Sequence, residues 1–466
     1  MLKFNKHRRL LEPEEYKYEL HDVKEPELYR DIFPYTDIPK IPFNNRVVPM
    51  NPPEEIWITD TTFRDGQQAL APFTVEQIVD LYTFMHRLGG PKGIIRQCEF
   101  FLYSEKDRAA VKACQEKGFR FPEITSWIRA KKEDFKLVKD MGLKETGILT
   151  SCSDYHIFLK LKKTRKQALE GYLDIVKTAL GEGIVPRCHF EDITRADFYG
   201  FVVPFALELM KLSQEFKIPI KIRACDTLGF GVAYPGASLP RNVNGIMHGL
   251  TQLAGVPSEW LEWHGHNDFY RSLTNATFAW LYGCSGVNGT LMGIGERTGN
   301  TPVEALAIEY ASLRGTRDGM DLSVITEIAQ YFEDKLGYRI PFMQPFVGLH
   351  FNMTRAGIHA DGLLKDEEIY NVFDTMNILN RPPEVSITDV SGLAGIAFWV
   401  NHELHLPKDK KVDKSNPAVA KMKEWIDSQF AGGRVNVISD EEMWTMVKKF
   451  LPELYEIHAE HEKHLK

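Results

Sequence analysis

From residue 56 to about residue 295, short apolar runs rich in β-branched residues alternate with longer stretches of helical period, eight times over. That alternation is the mark of βαβ units, in which each strand runs parallel to the last and needs a helical crossover to get there. The runs read IWITD (56–60), GIIRQCEFF (93–101), FPEITSWI (121–128), ETGILT (145–150), VPRCHFED, IPIKIRACDT, LEWHGHND and GVNGTLMGIG. Between them lie segments such as TVEQIVDLYTFMHRLG, TRKQALEGYLDIVKTALGEG and FVVPFALELMKLSQEF, apolar on one face and several closed by glycine. Eight such units predict an α/β fold, a (β/α)8 TIM barrel over residues 56–315.

A barrel takes roughly 250 residues, and the chain has 466. Residues 1–55 are charged and then proline-rich (PYTDIPKIPFNNRVVPMNPPEE), which reads as an extended N-terminal arm. Beyond 315 the alternation stops, and 316–466 reads as a mainly helical C-terminal region, from DLSVITEIAQYFEDKLG to EEMWTMVKKFLPELYEIHAEHEKHLK. Such a region is large enough to pack on a barrel mouth or on a partner subunit.

Charge and composition exclude some classes of function. With 57 Lys+Arg against 64 Asp+Glu there is no basic field to hold nucleic acid. The start lacks the apolar core of a signal peptide, and no apolar run is long enough to span a bilayer. The expected location is the cytoplasm, with no membrane partner. The six cysteines form no CxxC pair, so they read as reduced thiols acting as small buried hydrophobes.

Barrel enzymes work at the carboxyl ends of their strands. Here those ends carry Asp60 to Asp65, Glu99, Arg129, Thr150 and Ser151, Glu191 and Asp192, Asp226 and Thr227, His264 to Asp268, and Glu296 to Asn300. His264 and His266 are two apart on a strand, so both imidazoles face one side and can reach one point. Alone, that pair is as consistent with two hydrogen-bonded barrel histidines as with a metal site. Asp65, in DTTFRDGQQ, adds a hard carboxylate, and a carboxylate with two imidazoles forms a facial ligand set with positions left open. Asn300, in GERTGN, offers an amide oxygen or is simply a loop asparagine.

DTTFRDGQQ, FEDITRAD, HGHND and GIGERTGN, in that order and followed by RAGIHADGLLK, resemble the DRE-TIM metallolyase superfamily, specifically its Claisen-condensing branch. The likeness runs from about residue 56 to the C-terminus. That branch joins acetyl-CoA to 2-oxo acids and includes isopropylmalate, homocitrate and citramalate synthases and the Re-type citrate synthases. The resemblance implies a divalent metal, Mn2+ or Co2+ first and Mg2+ or Zn2+ next, on Asp65, His264, His266 and Asn300. It implies that acetyl-CoA is the cosubstrate and that Arg64 stabilises the oxygen on which negative charge develops. His359, in GIHADGLLK, matches the family's base, supplied over the mouth of a neighbouring subunit's barrel, which makes a homodimer the expected assembly. His350 is a weaker alternative.

Glu191 is expected to orient the base or a water, with a salt bridge to Arg195 as its plainer reading. Gln68, Thr227 and His156, the last in a segment resembling the family's SDxH, are expected to line the substrate pocket. The basic run Lys160, Lys162, Lys163 and Arg165 reads as a solvated helix face rather than a CoA-phosphate site.

Arg129, ending the third strand, discriminates between substrates. A second carboxylate needs a cation to replace its lost hydration, whereas a branched apolar oxo acid needs none. The expected substrate is therefore a dicarboxylic 2-oxo acid, oxaloacetate or 2-oxoglutarate. Arg271 supplies a further cation, in HGHNDFYRSL. The long arm, that FYRSL continuation and the ISDEEMWTMVKKFLPEL ending resemble the Re-type citrate synthases most, with homocitrate synthases as the alternative. An isopropylmalate synthase would be expected to carry a further leucine-sensing domain. A lyase of the hydroxymethylglutaryl-CoA type would be expected to carry a cysteine loop after the last strand, where this chain has GERTGNTPVE. A noncatalytic metal-binding barrel would have no reason to supply Arg64, Arg129 and His359 together.

Overall fold

The computed structural model describes residues 2–7, 9–13, 17–407, 410–456 and 458. The last stretch of the expected terminal helix, 459–466, lies outside them. The chain divides into two units, Met1–Asp321 and Leu322–Lys466.

The first unit is built on a closed barrel of eight parallel strands in sequence order. They are β1 (Trp57–Asp60), β2 (Ile95–Phe100), β3 (Glu123–Ile128), β4 (Glu145–Ser151), β5 (Val185–Glu191), β6 (Lys221–Asp226), β7 (Leu261–Gly265) and β8 (Gly286–Gly289). Closure is made by β8 against β1, from Gly286 opposite Trp57 to Gly289 opposite Asp60. The crossover helices are α1 (Val75–Gly89), α2 (Glu105–Glu116), α3 (Phe135–Asp140), α4 (Arg165–Gly181), α5 (Val203–Phe216), α6 (Val243–His248) and α7 (Ser272–Leu281), and α8 (Val303–Arg314) follows β8. Thr74, Ser104 and Thr164 start α1, α2 and α4 with full capping boxes. Each satisfies amide groups that the first helical turn leaves without partners, a device worth about 1 kcal/mol.

Alternation along the strands sorts the side chains. Ile58, Cys98, Phe100, Ile148, Cys188, Phe190, Ile222 and Trp263 are buried apolar residues at one set of positions. The alternate set carries charge. Glu99 accepts from Arg187 Nη2 at 2.6 Å and from Arg223 Nη1 at 2.9 Å. Arg187 also donates to Glu145 at 2.8 Å, and Arg223 pairs with Glu262 at 2.8 Å. Burying an ion costs several kcal/mol, offset only when its hydrogen-bonding positions are filled. Burial would raise the Glu99 carboxyl, but Arg223, His189 and Arg187 outweigh it and hold it well below the ordinary range. This lattice is the floor beneath the barrel mouth.

The N-terminal arm starts as an antiparallel hairpin, Leu2–Asn5 against Leu10–Pro13, which its composition did not announce. It then runs extended along the barrel unit: His21 N donates to Gly200 O, Asn44 N to Gly236 O and Asn51 N to Leu281 O. The arm therefore belongs to the barrel unit, whose boundary falls at Asp321 rather than 315. Arg165 corrects the reading of the basic run as a solvated face. Its side chain is buried, bidentate to Asp154 (2.8 Å to each oxygen) and bonded to Asp197 and to the His21 carbonyl.

The second unit contains α9 (Val324–Asp334), α10 (Gly357–Lys365), α11 (Thr375–Leu379), α12 (Leu393–Glu403), α13 (Pro417–Ala431) and α14 (Asp440–Phe450). Its core is formed by Ile396, Val400, Met422, Ile426, Met443 and Val447 among others. Among the described residues no helix is long and apolar enough to cross a membrane.

Candidate metal centre

The turn after β1 is tight: the Thr61 carbonyl accepts from the amides of Arg64, Asp65 and Gly66. A side chain at position 66 would press on Ile294 at 3.0 Å. Asp65 is thereby set among the β7 histidines. Its Oδ2 lies 3.4 Å from His264 Nε2 and 3.6 Å from His266 Nε2. One donor atom from each of the three lies within 4.8 Å of the others, and all three residues are buried.

Three observations test whether these residues suit a divalent ion. His264 Nδ1 meets Asn288 Oδ1 at 2.8 Å, an acceptor that fixes the proton on Nδ1 and leaves the Nε2 lone pair free. Asn300 Nδ2 donates to Asp65 Oδ2 at 3.1 Å, while Asn300 Oδ1 and His266 Nδ1 are buried without partners. An unpaired buried polar atom costs about 1–3 kcal/mol, a cost that an ion would remove at Asn300 Oδ1 by taking up its lone pair. Burial also pushes both imidazoles down, toward the neutral form that ligates. Burial would raise the Asp65 carboxyl, but the neighbouring Arg64 holds it below the usual range. The set fits a divalent metal with mixed carboxylate, imidazole and amide preference.

Arg64 reaches the same point. Its Nη1 is 3.2 Å from Asp65 Oδ2, its Nε is 3.8 Å from Glu99 Oε1, and its guanidinium lies over the Trp127 ring at 4.9 Å. Held by a carboxylate on either side and an aromatic face, it is a fixed positive charge beside the trio.

A second cluster sits at the ends of β4 and β5. Glu191 accepts from Ser151 Oγ and faces His156 Nδ1 at 3.0 Å. Lys160 Nζ is 3.4 Å from Glu191 Oε1. Burial would raise the Glu191 carboxyl, but the hydrogen bond from His156 outweighs it and brings it to about 2. Asp192 adopts the left-handed region (φ 61°) and is buried, where it accepts from Ser153 Oγ at 2.5 Å and from Arg195. Arg195 thus pairs with Asp192, so the alternative reading of Glu191 as bridged to Arg195 gives way to a Glu191–His156 contact.

Arg129 requires the main correction. Its guanidinium is bidentate to Asp134, Nε to Oδ2 and Nη2 to Oδ1, both 2.9 Å, and lies over the Tyr103 ring. With its side chain 53% exposed, it is a neutralised surface cation rather than one awaiting a carboxylate. Arg271 is different. Its Nη1 is buried without a partner, its guanidinium lies 5.7 Å from the Phe269 ring centre, and no ion pair to a carboxylate is found for it among the described residues. Thr227 is committed to the loops, its Oγ1 accepting from Asp192 N and its carbonyl from Arg297. Gln68 is exposed at the end of its turn. His359 belongs to the second unit, exposed in the first turn of α10 with its ring 4.4 Å from that of Tyr370, and His350 stacks on Phe342.

Sequence reasoning passed over Asn288, Trp127 and the supporting role of Glu99. A signal for part of this was present: Arg187, His189 and Glu191, like Glu262, His264 and His266, recur at every second position of one strand, so each trio faces the same way.

The sequence profile of the HMGL-like family matches residues 55–332. The chain is 58% identical over 458 residues to a citrate (Re)-synthase of Syntrophus aciditrophicus, covering 98% of this chain and 73% of that protein. It is also 58% identical to a citrate (Re)-synthase of Clostridium kluyveri, over 95% of this chain and 97% of that one. A 2-phosphinomethylmalate synthase of Streptomyces hygroscopicus is 36% identical over 92% of this chain and 98% of its own.

Proposed function

The chain belongs to the HMGL-like family, and on that premise we propose that it condenses acetyl-CoA with oxaloacetate to give citrate and CoA, the reaction of Re-type citrate synthases. The observation that carries this reading is 58% identity to two such enzymes over nearly the whole chain. The buried trio of Asp65, His264 and His266 supplies the site that the chemistry needs. A lyase using a cysteine in the loop after β8 is disfavoured, because that loop has none and every cysteine is buried.

A divalent ion on Asp65, His264, His266 and Asn300, Mn2+ or Co2+ first and Mg2+ or Zn2+ next, supplies Lewis-acid polarisation of the substrate ketone when bound. The residues do the rest. Arg64, always charged and already desolvated, stabilises the oxygen that gains negative charge on attack. His359 takes the proton from the acetyl methyl group, in keeping with a homodimer in which the second unit serves a neighbouring barrel. Arg271 holds the distal carboxylate of oxaloacetate, its unpaired Nη1 gaining a partner. The six buried reduced thiols suit a cytoplasmic protein.

The test is purified, Mn2+-loaded protein given acetyl-CoA with oxaloacetate, 2-oxoglutarate, pyruvate or 2-oxoisovalerate, following free thiol. Oxaloacetate is expected to be used best; preference for an apolar oxo acid would remove the reading. In the same assay Arg271→Gln is expected to raise KM for oxaloacetate about 30-fold or more, the effect of losing a buried charge partner. Arg129→Gln is expected to leave kcat/KM within about 3-fold, since its charge is spent on Asp134. Equal effects of the two substitutions would refute the assignment of Arg271.

A further inference from the structure

We propose that His156 is the general base that hydrolyses the thioester of citryl-CoA, a role separate from carbon–carbon bond formation; this rests on the citrate-forming reading. The proton count calls for such a group. Enolisation removes one proton and the new alkoxide takes one, so condensation is balanced in itself. Hydrolysis then needs a water deprotonated and a departing sulfur protonated.

The geometry points to His156. Its Nδ1 lies 3.0 Å from Glu191 Oε2, nearer than Lys160 Nζ at 3.4 Å. With a carboxylate as the nearer neighbour, the neutral ring that the reaction needs carries its proton on Nδ1 and its lone pair on Nε2. Nε2 is 3.7 Å from Asp192 Oδ2, beyond hydrogen-bond reach, so it stays free to take a proton. A carboxylate behind an imidazole with the far nitrogen open is the arrangement that fixes tautomer and orientation in hydrolytic triads. The ring is held from both sides in sequence. Asp154 is clamped by Arg165 and by the Glu27 amide of the N-terminal arm, and Ser153 Oγ donates to Asp192. A base so fixed loses little entropy in use.

The barrel order supplies the placement. Arg64, Asp65, His264, His266 and Asn300, which take the oxo-acid end, follow β1, β7 and β8. In a closed ring of eight strands, β4 and β5 lie opposite β8 and β1, and His156 and Glu191 sit at their ends. The thioester arm, leaving the oxo-acid end, crosses toward that wall. Water oxygen bonds to the thioester carbonyl carbon as its proton passes to Nε2. The C–S bond then breaks, Nε2 returns that proton to the departing sulfur, and the second water proton leaves the new carboxyl for solvent, giving citrate and CoA.

The test is His156→Asn in the full-length, Mn2+-loaded protein. The asparagine amide still donates to Glu191 but has no basic nitrogen. In an acid-quenched single turnover with acetyl-CoA and oxaloacetate, mass spectrometry is expected to find citryl-CoA accumulating to about one per active site. Citrate release is expected to fall 10²–10⁴-fold, the usual worth of a general base. Synthetic citryl-CoA should be hydrolysed by the parent and not by the variant. Glu191→Gln is the second variant, expected to accumulate the same intermediate with a smaller drop. Near-parental hydrolysis of citryl-CoA by His156→Asn, or equal loss of condensation and hydrolysis in both variants, overturns the assignment. A parent that leaves citryl-CoA intact instead overturns the citrate-forming reading, and the proposal falls with it.

Discussion

His264→Ala is expected to lose bound divalent metal, from about one per chain to none, and to lower kcat/KM by at least about 10³-fold. The argument is geometric. The three donor atoms lie within 4.8 Å of one another, and Asn300, already counted in the ligand set, cannot also stand in for the lost imidazole. Several kcal/mol of charge stabilisation goes with the ion, and each 1.4 kcal/mol is a factor of ten in rate. Asn288→Ala grades the effect. It removes the acceptor that holds the His264 proton on Nδ1, and loss of such a partner costs about 10–100-fold in metal affinity or activity. Elemental analysis of dialysed protein, beside thiol release at saturating Mn2+, reads both quantities. Stoichiometric metal with more than a tenth of parental activity in His264→Ala would dismiss the trio as the centre.

How far this site was legible in the sequence depended on whether strand period or a motif fixed a residue's place, or packing did. His264 and His266 declare themselves because strand period alone puts both on one face. Asp65 joins them through a turn that the DTTFRDGQQ motif makes visible. Arg129 shows the limit. Its position at a strand end was readable, but its commitment to Asp134, five residues on, was not, because a loop's return path is set by packing rather than by period. Arg165 misled for the opposite reason. Three lysines around it imply a wet face, while its partners Asp154, Asp197 and the His21 carbonyl come from three separate segments. The arm likewise read as bare coil, since its contacts are backbone bonds to Gly200, Gly236 and Leu281, which leave no trace in composition. The barrel itself was plain: all eight strands fell where the strand-like runs lie, because every strand keeps buried apolar side chains at alternate positions.

Glu99→Gln is expected to destabilise the barrel unit by about 3–5 kcal/mol, the cost of breaking a buried charge network by removing one partner. Glu99 is fully enclosed and takes hydrogen bonds from Arg187 at 2.6 Å and Arg223 at 2.9 Å. The amide keeps the shape and removes the charge, so two buried guanidiniums and Lys221 are left with only Glu145 and Glu262. Arg64 also loses the carboxylate 3.8 Å from its Nε, so the variant should lose activity at temperatures where it is still folded. The sign with pH follows from the depressed Glu99 carboxyl. Its stabilising effect is complete above the ordinary carboxylate pKa and is lost only in strong acid, as pH falls through the lowered value. Near neutral pH the parent is therefore at full advantage over the variant, and the gap should narrow in acid. Glu208→Gln serves as the control, since that carboxylate sits in an exposed pair with Lys211, worth at most about 1 kcal/mol. Adding Arg223→Met to Glu99→Gln should recover part of the loss, because it removes a stranded charge, while Glu262, which loses its pair with Arg223, keeps Arg187 at 3.7 Å. Unfolding midpoints at neutral and acid pH measure all of this; a Glu99→Gln midpoint equal to the control's would mean that charge balance does not hold the barrel floor.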